Sequence, residues 1–199
     1  HNTTIDGNGT GTVVSIIANT TILSGFTIQK GEYGIWLGHS GNNIISDNNA
    51  LNNNQYGIYL SGSSNNVLSG NNASNNVYGI YVGDSDDNVL SGNIASNNPR
   101  DGIVLYYSSY NNLTGNTATN NNRNGISLSS SFNNIILASS MHRKTTNSNV
   151  FDLLTKPICD ALAELGFSEP TFPQTMAIPH VLAGENAVSY THLRAHETV

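Results

Sequence analysis

The chain has 199 residues, a net charge of −6 at pH 7, and charged side chains at 10% of positions. About 25% is usual in soluble proteins, and here asparagine, serine and glycine supply the polarity instead. Up to residue 140, seven acids outnumber the basic residues Lys30, Arg100 and Arg123, which excludes a basic nucleic-acid-binding surface in that part. The single cysteine excludes an internal disulfide, and no apolar run reaches the ~18 residues of a membrane span.

From residue 33 onward the sequence repeats, as in "YGIYLSGSSNNVLSGNNASNNV" and the following "YGIYVGDSDDNVLSGNIASNNPR". A glycine anchors each repeat, at intervals of 22 or 23 residues: Gly34, Gly57, Gly79, Gly102 and Gly125. The preceding stretch "VVSIIANTTILSGFTIQKGE" fits the same template, so about six turns are expected. A fixed period of this length indicates a solenoid of stacked units.

Each repeat contains three short apolar segments. The first has alternating pairs such as Ile35 and Leu37, and alternation at period two is typical of a strand. The second contains pairs such as Val67 and Leu68, and the third is centred on an alanine such as Ala73. The chain up to residue 140 is therefore predicted to be all-β, a right-handed single-stranded parallel β-helix of about six rungs of 22–23 residues around one apolar core.

Asparagine recurs in two columns, which we expect to form ladders between rungs, because asparagine tolerates left-handed turns and its stacked amides can hydrogen-bond. The first predicted column is Asn43, Asn66, Asn88, Asn112 and Asn134, and the second is Asn48, Asn71, Asn93 and Asn116.

The repeat "YGIYLSGSSNNVLSGNNASNN" resembles the parallel β-helix repeats of the NosD-like family and of microbial surface proteins. The opening "TTIDGNGTG" is similar to the first turn of pectate-lyase-like β-helices. The resemblance covers residues 4–140 and implies an extracellular, cell-surface or periplasmic location. It implies the fold more than the function, because unrelated activities use this scaffold. A copper site, which the NosD name suggests, would need a histidine pair or a methionine-rich cluster, and His39 stands alone in its turn.

The residue between the two inward aliphatics of the first strand must point outward, because strand side chains alternate between faces. In successive turns this position holds Trp36, Tyr59, Tyr81, Val104 and Ser127, with Tyr33, Tyr56 and Tyr78 just before the anchoring glycines. An aromatic strip can cover the apolar faces of sugar rings, which predicts carbohydrate binding through the six aromatic residues. The alternative is structural, since tyrosine and tryptophan favour strands and pack against cross-strand neighbours.

One acidic cluster interrupts the repeats, in the turn "GDSDDN" that contains Asp84, Asp86 and Asp87. It is interpreted either as a solvated turn or as a weak Ca²⁺ site built from carboxylate oxygens. No second acid falls in the matching column of the adjacent rungs, so the paired carboxylates of a polysaccharide lyase or hydrolase are not indicated.

The repeat pattern ends after Ile136, and "FDLLTKPICDALAELGF" favours a helix that stops at Gly166. The stretch "ALAELGFSEPTFPQTMAIPHVLAGEN" resembles the amino-terminal Q motif of DEAD-box helicases, which recognises the adenine of ATP. The matching residues are Phe151, Gly166, Phe167, Pro170, Thr171 and Gln174. The G-x-x-x-x-G-K-T phosphate-binding loop of the family does not follow, so ATP would be a cofactor only if the helicase were complete. The resemblance implies a cytoplasmic location for this segment.

The sequence thus predicts a β-helix repeat domain at 1–140, a linker at 141–150, a helicase-like helical segment at 151–187 and a tail at 188–199. The tail is expected to be non-native, because "SYTHLRAHET" resembles translated sequencing-adapter strings, and the start "HNTTIDGNG" suggests a fragment. We expect the helicase-like segment to come from a different gene.

The leading functional hypothesis is a non-catalytic module of a surface or periplasmic protein. It would contact a polysaccharide or another cell-surface component, with no required cofactor and no nucleic-acid partner for the β-helix. A polysaccharide lyase or hydrolase and an inactive helicase fragment are the alternatives.

Overall fold

The chain winds into a parallel β-helix in the computed structural model, which describes residues 3–137 and 140–143. The strands in chain order are β1 (Thr3–Asp6), β2 (Thr12–Ile16), β3 (Ile22–Ser24), β4 (Phe26–Gln29), β5 (Tyr33–Gly38), β6 (Ile44–Ser46), β7 (Asn49–Leu51), β8 (Tyr56–Ser61), β9 (Val67–Ser69), β10 (Tyr78–Gly83), β11 (Val89–Ser91), β12 (Ile103–Tyr106), β13 (Asn112–Thr114), β14 (Thr117–Asn121), β15 (Ile126–Ser129), β16 (Ile135–Leu137) and β17 (Ser140–Arg143). The described residues contain no helix, and thus none that could cross a membrane.

Three parallel sides run along the solenoid. The first is the six-stranded sheet β15-β12-β10-β8-β5-β2, and the second is the six-stranded sheet β16-β13-β11-β9-β6-β3. The third side begins as β1-β4-β7, continues through single bridges such as Asn49 to Asn72, and ends as β14-β17. Each strand pairs with its counterpart one turn later, as Ile58 does with Ile80. The predicted all-β parallel solenoid of about six turns is confirmed.

Aliphatic columns fill the interior. Ile35 and Leu37 on the first side and Leu68 on the second are fully buried, as the alternation predicts. On the third side the inward position is Ile28 in β4 and an alanine such as Ala73 in the later turns, where the alanine Cβ lies close to the anchoring glycines of the first side. Outward-facing members of the second side, such as Val89, are partly exposed.

The anchoring glycines mark the corner where the third side meets the first. A Cβ atom on Gly57 would lie 2.6 Å from the Asn76 amide nitrogen, 2.8 Å from the Gly79 carbonyl oxygen and 2.9 Å from the Ala73 Cβ. The next glycine along the column is equally crowded. Only a residue without a side chain fits this corner, which explains the strict repeat.

Asparagine ladders join the rungs inside the solenoid. The Asn71 side-chain oxygen accepts from the backbone N–H of Asn48 at 3.1 Å and from the Asn48 side-chain amide at 3.1 Å. The Asn71 amide nitrogen donates to the Ile45 carbonyl at 2.7 Å and to the Asn93 side-chain oxygen at 3.0 Å. The buried amide is therefore satisfied by both neighbouring rungs.

The first predicted ladder needs one correction. Its fourth member is Asn111, whose side-chain oxygen accepts from the Asn88 backbone at 2.8 Å, and not Asn112, which opens β13. In each turn the ladder residue follows a residue in the left-handed conformation. In this turn the left-handed residue is Tyr110, with φ 59°, so Asn111, which follows it, is the residue that aligns with Asn88 in the ladder.

A further ladder is absent from the sequence prediction. It lies at the end of the third side and comprises Asn53, Asn76, Asn98 and Asn121. Its amides approach the anchoring glycines, so it fixes the corner from which the first side begins.

The linker at 141–150 begins with three residues of β17, and its remaining residues lie outside the described part of the chain, as do the helical segment at 151–187 and the tail at 188–199. These assignments stay predictions.

The buried hydrogen bonds of the asparagine ladder allow us to predict how removal of one side-chain amide changes stability. Asn71→Ala leaves the buried Asn48 N–H without its acceptor and removes the side-chain hydrogen bonds to Asn48, Asn93 and the Ile45 carbonyl. Each buried group that loses its partner costs about 1–3 kcal/mol. We expect the free energy of urea unfolding to fall by about 3 kcal/mol. Asn122→Ala is the matched control, because this side chain is exposed and makes no side-chain hydrogen bond. Equal losses in the two variants would contradict the role given to the ladder.

Candidate functional site

Three aromatic side chains form one outward column on the first side. Trp36 pairs in register with Tyr59, and Tyr59 pairs with Tyr81. Their inward neighbours are buried, and the aromatic residues themselves are half-buried. The predicted outward column is therefore present, and it continues to Val104, which is nearly buried at 7% exposure, and Ser127.

Three further tyrosines lie beside this column, at the corner. Each precedes a glycine that faces the interior, so Tyr33, Tyr56 and Tyr78 remain outside. The Tyr56 ring stacks on Tyr78 with centroids 5.3 Å apart and on Tyr59 at 4.9 Å. Tyr59 and Tyr81 meet edge to face at 5.5 Å. We call the set Trp36, Tyr59, Tyr81, Tyr33, Tyr56 and Tyr78 the aromatic surface.

The ring of Trp36 lies down on the sheet. A Cβ atom on Gly38 would be 2.5 Å from the ring carbon Cζ2, so the indole covers this glycine. Trp36 stacks with no other aromatic ring in the described part of the chain, and its side chain is half-buried. Tyr81 leans over Gly83 in the same way, 3.2 Å from the Cβ position. Small residues two positions after each outward ring thus let the rings lie flat.

Burial and mutual contact alter the acidity of the tyrosines. Desolvation, followed by the neighbouring Tyr56 and Tyr59, raises the pKa of Tyr81 to about 12. Desolvation also raises the pKa of Tyr56 above its ordinary value. These hydroxyls are neutral at physiological pH, and a neutral phenol both donates and accepts hydrogen bonds.

Arg100 caps the tyrosine row and was missed by the sequence reasoning. Its Nη1 donates to the Tyr78 hydroxyl at 2.7 Å, and its Cζ lies 5.5 Å from the centroid of that ring. The hydrogen bond that Arg100 donates to Tyr78 is the main cause that raises the pKa of Arg100 above its ordinary value. The sequence contains a pattern that indicates this contact. Arg100 stands one repeat after Val77, which directly precedes Tyr78, so Arg100 occupies the column beside the tyrosines. Tyr106 and Tyr107 extend the aromatic residues one turn further.

The acidic turn does not gather its carboxylates around one point. The Asp86 carboxylate accepts the Ser109 N–H at 2.6 Å, which joins it to the next rung. Asp84 and Asp87 occupy left-handed turn positions and are exposed. No group of three or more His, Cys, Asp or Glu side chains able to hold a metal ion occurs among the described residues.

A shallow depression lies at the other end of the solenoid. Its volume is about 620 Å³, and it is lined by Asp6, Asn8, Gly9, Lys30, Asn52 and Asn54. Lys30 donates to the Asp6 carboxylate at 2.9 Å, and this hydrogen bond is the main cause that lowers the pKa of Asp6 to about 2. The charges neutralise each other, and the depression contains no aromatic residue.

Together, the parallel sides, the amide ladders and the outward aromatic column define a β-helix repeat protein. Residues 1–152 match the family model of NosD, which is described as a periplasmic copper-binding protein. The match spans most of the chain, which therefore belongs to the NosD family. No curated protein is significantly similar to the chain in sequence.

Several solved structures share the fold. The periplasmic alginate epimerase AlgG aligns with a TM-score of 0.58 at 22% identity, over 65% of this chain and 36% of that one. An alginate lyase from Paenibacillus sp. str. FPU-7 aligns with a TM-score of 0.63 at 16% identity, over 73% and 58%. The enzymatically active domain of bacteriophage CBA120 tailspike protein 2 gives 0.59 at 13%, over 65% and 22%. The chain spans about a third of the length of AlgG.

The described residues do not fit the copper ion that the family description implies. Copper sites are built from several imidazole, thiolate or thioether ligands. Among the side chains that the structure describes, His39 is the only histidine, and there is no cysteine or methionine. The described side chains therefore offer no set of ligands that fits a copper ion.

The residues assigned to the Q motif lie outside the described part of the chain: Phe151, Gly166, Phe167, Pro170, Thr171 and Gln174. None of the similarities above supports the helicase resemblance, which stays a prediction.

The raised pKa of Tyr81 predicts a pH dependence of stability. Unfolded Tyr81 ionises near pH 10.0, whereas the folded chain retains the proton to about pH 12, so stability present below pH 10.0 is lost as the pH rises through this window. Tyr81→Phe removes one ionising group, and we expect its free energy of unfolding to fall less steeply across that range than the wild type's. Urea unfolding at increasing pH measures both slopes. Identical slopes would show that Tyr81 is not shielded as described.

Proposed function

We propose that this β-helix is a non-catalytic carbohydrate-binding module of a periplasmic or cell-surface protein. The observation that carries the proposal is the aromatic surface, above all the half-buried Trp36 ring, which lies over Gly38 and has no other aromatic ring stacked on it. Flat rings cover the apolar faces of pyranose sugars, and half-buried aromatic residues with polar tips are typical of binding surfaces.

The geometry suits a linear polymer more than a single sugar. The outward column follows the solenoid axis with a strand spacing of ~4.8 Å, so Trp36 and Tyr81 lie about 10 Å apart along the axis. Successive sugar units can therefore contact successive rings. Neutral tyrosine hydroxyls beside the rings offer donors and acceptors for sugar hydroxyls.

The similar proteins support this choice of ligand. Two of them, the alginate epimerase AlgG and an alginate lyase, are named for alginate, which is a polysaccharide, and a third is the enzymatically active domain of a phage tailspike protein. NosD is described as periplasmic, which agrees with the proposed location.

A polysaccharide lyase or hydrolase is the second candidate, favoured by the same relatives. Acid–base cleavage requires a donor and an acceptor within reach of one glycosidic bond. Release of reducing or unsaturated ends from pectin or alginate would establish this activity and refute the non-catalytic proposal.

The proposed binding requires no cofactor. Weak Ca²⁺ binding at Asp84, Asp86 and Asp87 would stabilise their turn, and sugar contact with the aromatic rings does not depend on it. ATP would matter only to a complete helicase.

Trp36 is the only tryptophan, so its fluorescence reports on the aromatic surface directly. We expect the Trp36 emission to change on titration with a polysaccharide that binds, because a sugar that contacts the half-buried indole displaces water from it. Trp36→Ala should weaken binding about tenfold, which corresponds to about 1.4 kcal/mol, by isothermal titration calorimetry.

Phe132→Ala is the matched control. Phe132 is 68% exposed and lies in a turn away from the aromatic surface, so its removal should leave affinity unchanged. Equal weakening in both variants, or no response to any glycan of a broad panel, would refute the proposal.

A further inference from the structure

The basic residues of the described chain are unevenly distributed. Lys30 is ion-paired with the Asp6 carboxylate at 2.9 Å. Arg100 and Arg123 stand in successive turns of one column, since the Arg123 N–H donates to the Arg100 carbonyl at 3.2 Å. Two of the three basic side chains that the structure describes are therefore next to the tyrosine row.

Their charges have different partners. Arg123 lies 3.7 Å from the carboxylate of Asp101, which is buried and also accepts the Asn124 side-chain amide at 2.7 Å. Arg100 forms no salt bridge with a carboxylate in the described residues. The charge of the neighbouring Asp101 acts on Arg100 only as a lesser cause of its raised pKa, after the hydrogen bond to Tyr78.

Arg100 is nevertheless held in place. The Tyr78 hydroxyl accepts one of its five N–H donors, and the ring lies close to the guanidinium. The remaining donors face solvent, because the side chain is exposed. A planar guanidinium with free donors binds a carboxylate through two parallel hydrogen bonds, and orientation by a neighbouring ring lowers the entropy lost on binding.

We propose that the aromatic surface binds an anionic polysaccharide and that Arg100 bonds to the carboxylate of one of its uronate units. This inference rests on the proposed function and names the ligand class. The sugar rings contact Trp36, Tyr59 and Tyr81, and the acid group lies at the Arg100 end of the tyrosine row.

Glu32 places a negative charge at the end of the aromatic surface opposite Arg100. It lies beside Tyr33 at the opposite end of the row, where its charge helps to raise the pKa of that tyrosine. Its carboxylate accepts from the Gln55 side-chain amide at 3.3 Å. Three strand spacings, about 14 Å, separate the rungs of Glu32 and Arg100. Uronate is thus attracted at one end and repelled at the other.

The test compares one polymer in two charge states. Oligomers of a uronate polysaccharide and the same oligomers after reduction of their carboxyl groups to alcohols are titrated by calorimetry into the full chain. We expect the acidic form to bind about tenfold more tightly at low salt, and the difference to shrink as ionic strength rises.

Variants locate the contact. Arg100→Gln should remove the preference for the acidic form while leaving affinity for the reduced form unchanged, and Arg100→Lys should retain part of it. Glu32→Gln should strengthen uronate binding. Lys30→Gln, which removes a positive charge that is already paired with Asp6, should change neither affinity. Thermal melting followed by circular dichroism confirms that each variant is folded.

The outcomes separate the two proposals. Equal affinity for acidic and reduced oligomers, or a preference that survives Arg100→Gln, overturns this inference and leaves the carbohydrate-binding function intact. Binding of neither form, with no response to neutral glycans, overturns both.

Discussion

The buried amide contact between consecutive rungs is the interaction on which the structure depends. Each ladder asparagine accepts from the rung before it and donates to the rung after it, so a turn of different length or path would leave buried donors unpaired. Three such ladders, one near each corner, impose the same backbone course on every turn. The anchoring glycines add a steric condition at one corner, where Gly57 has no room for a Cβ atom.

Because the interior is the same in every rung, sequence variation is confined to the outer surface, where the residues of the proposed binding site lie. Because every rung repeats the same alternation, one outward position becomes a straight column, and substituting aromatic residues there produces a ring strip without altering the core. The same principle places Arg100 and Glu32 at opposite ends of the tyrosine row. The tyrosine rings already contact one another without a ligand, and a pre-organised surface loses less entropy on binding.

The repeat period was enough to predict the solenoid, the inward aliphatics and the outward column of Trp36, Tyr59 and Tyr81, because each follows from alternation within a fixed period. The choice of Asn112 over Asn111 failed because the left-handed position before the ladder is held by Tyr110 in that turn instead of a short polar residue. The orientation of the Trp36 ring depends on space above Gly38, and the Arg100 contact depends on its pairing with a tyrosine one turn away, so neither follows from local pattern alone.

The most direct test of the account is to map a bound oligosaccharide by nuclear magnetic resonance. Uniformly labelled chain would be titrated with a uronate oligomer while the Trp36 indole, the tyrosine rings and the Arg100 guanidinium are observed. The account predicts shifts and intermolecular contacts at these groups along the first side, with the core ladder amides unchanged. Shifts concentrated instead at the depression around Asp6 and Lys30, or at the Asp84 turn, would contradict it.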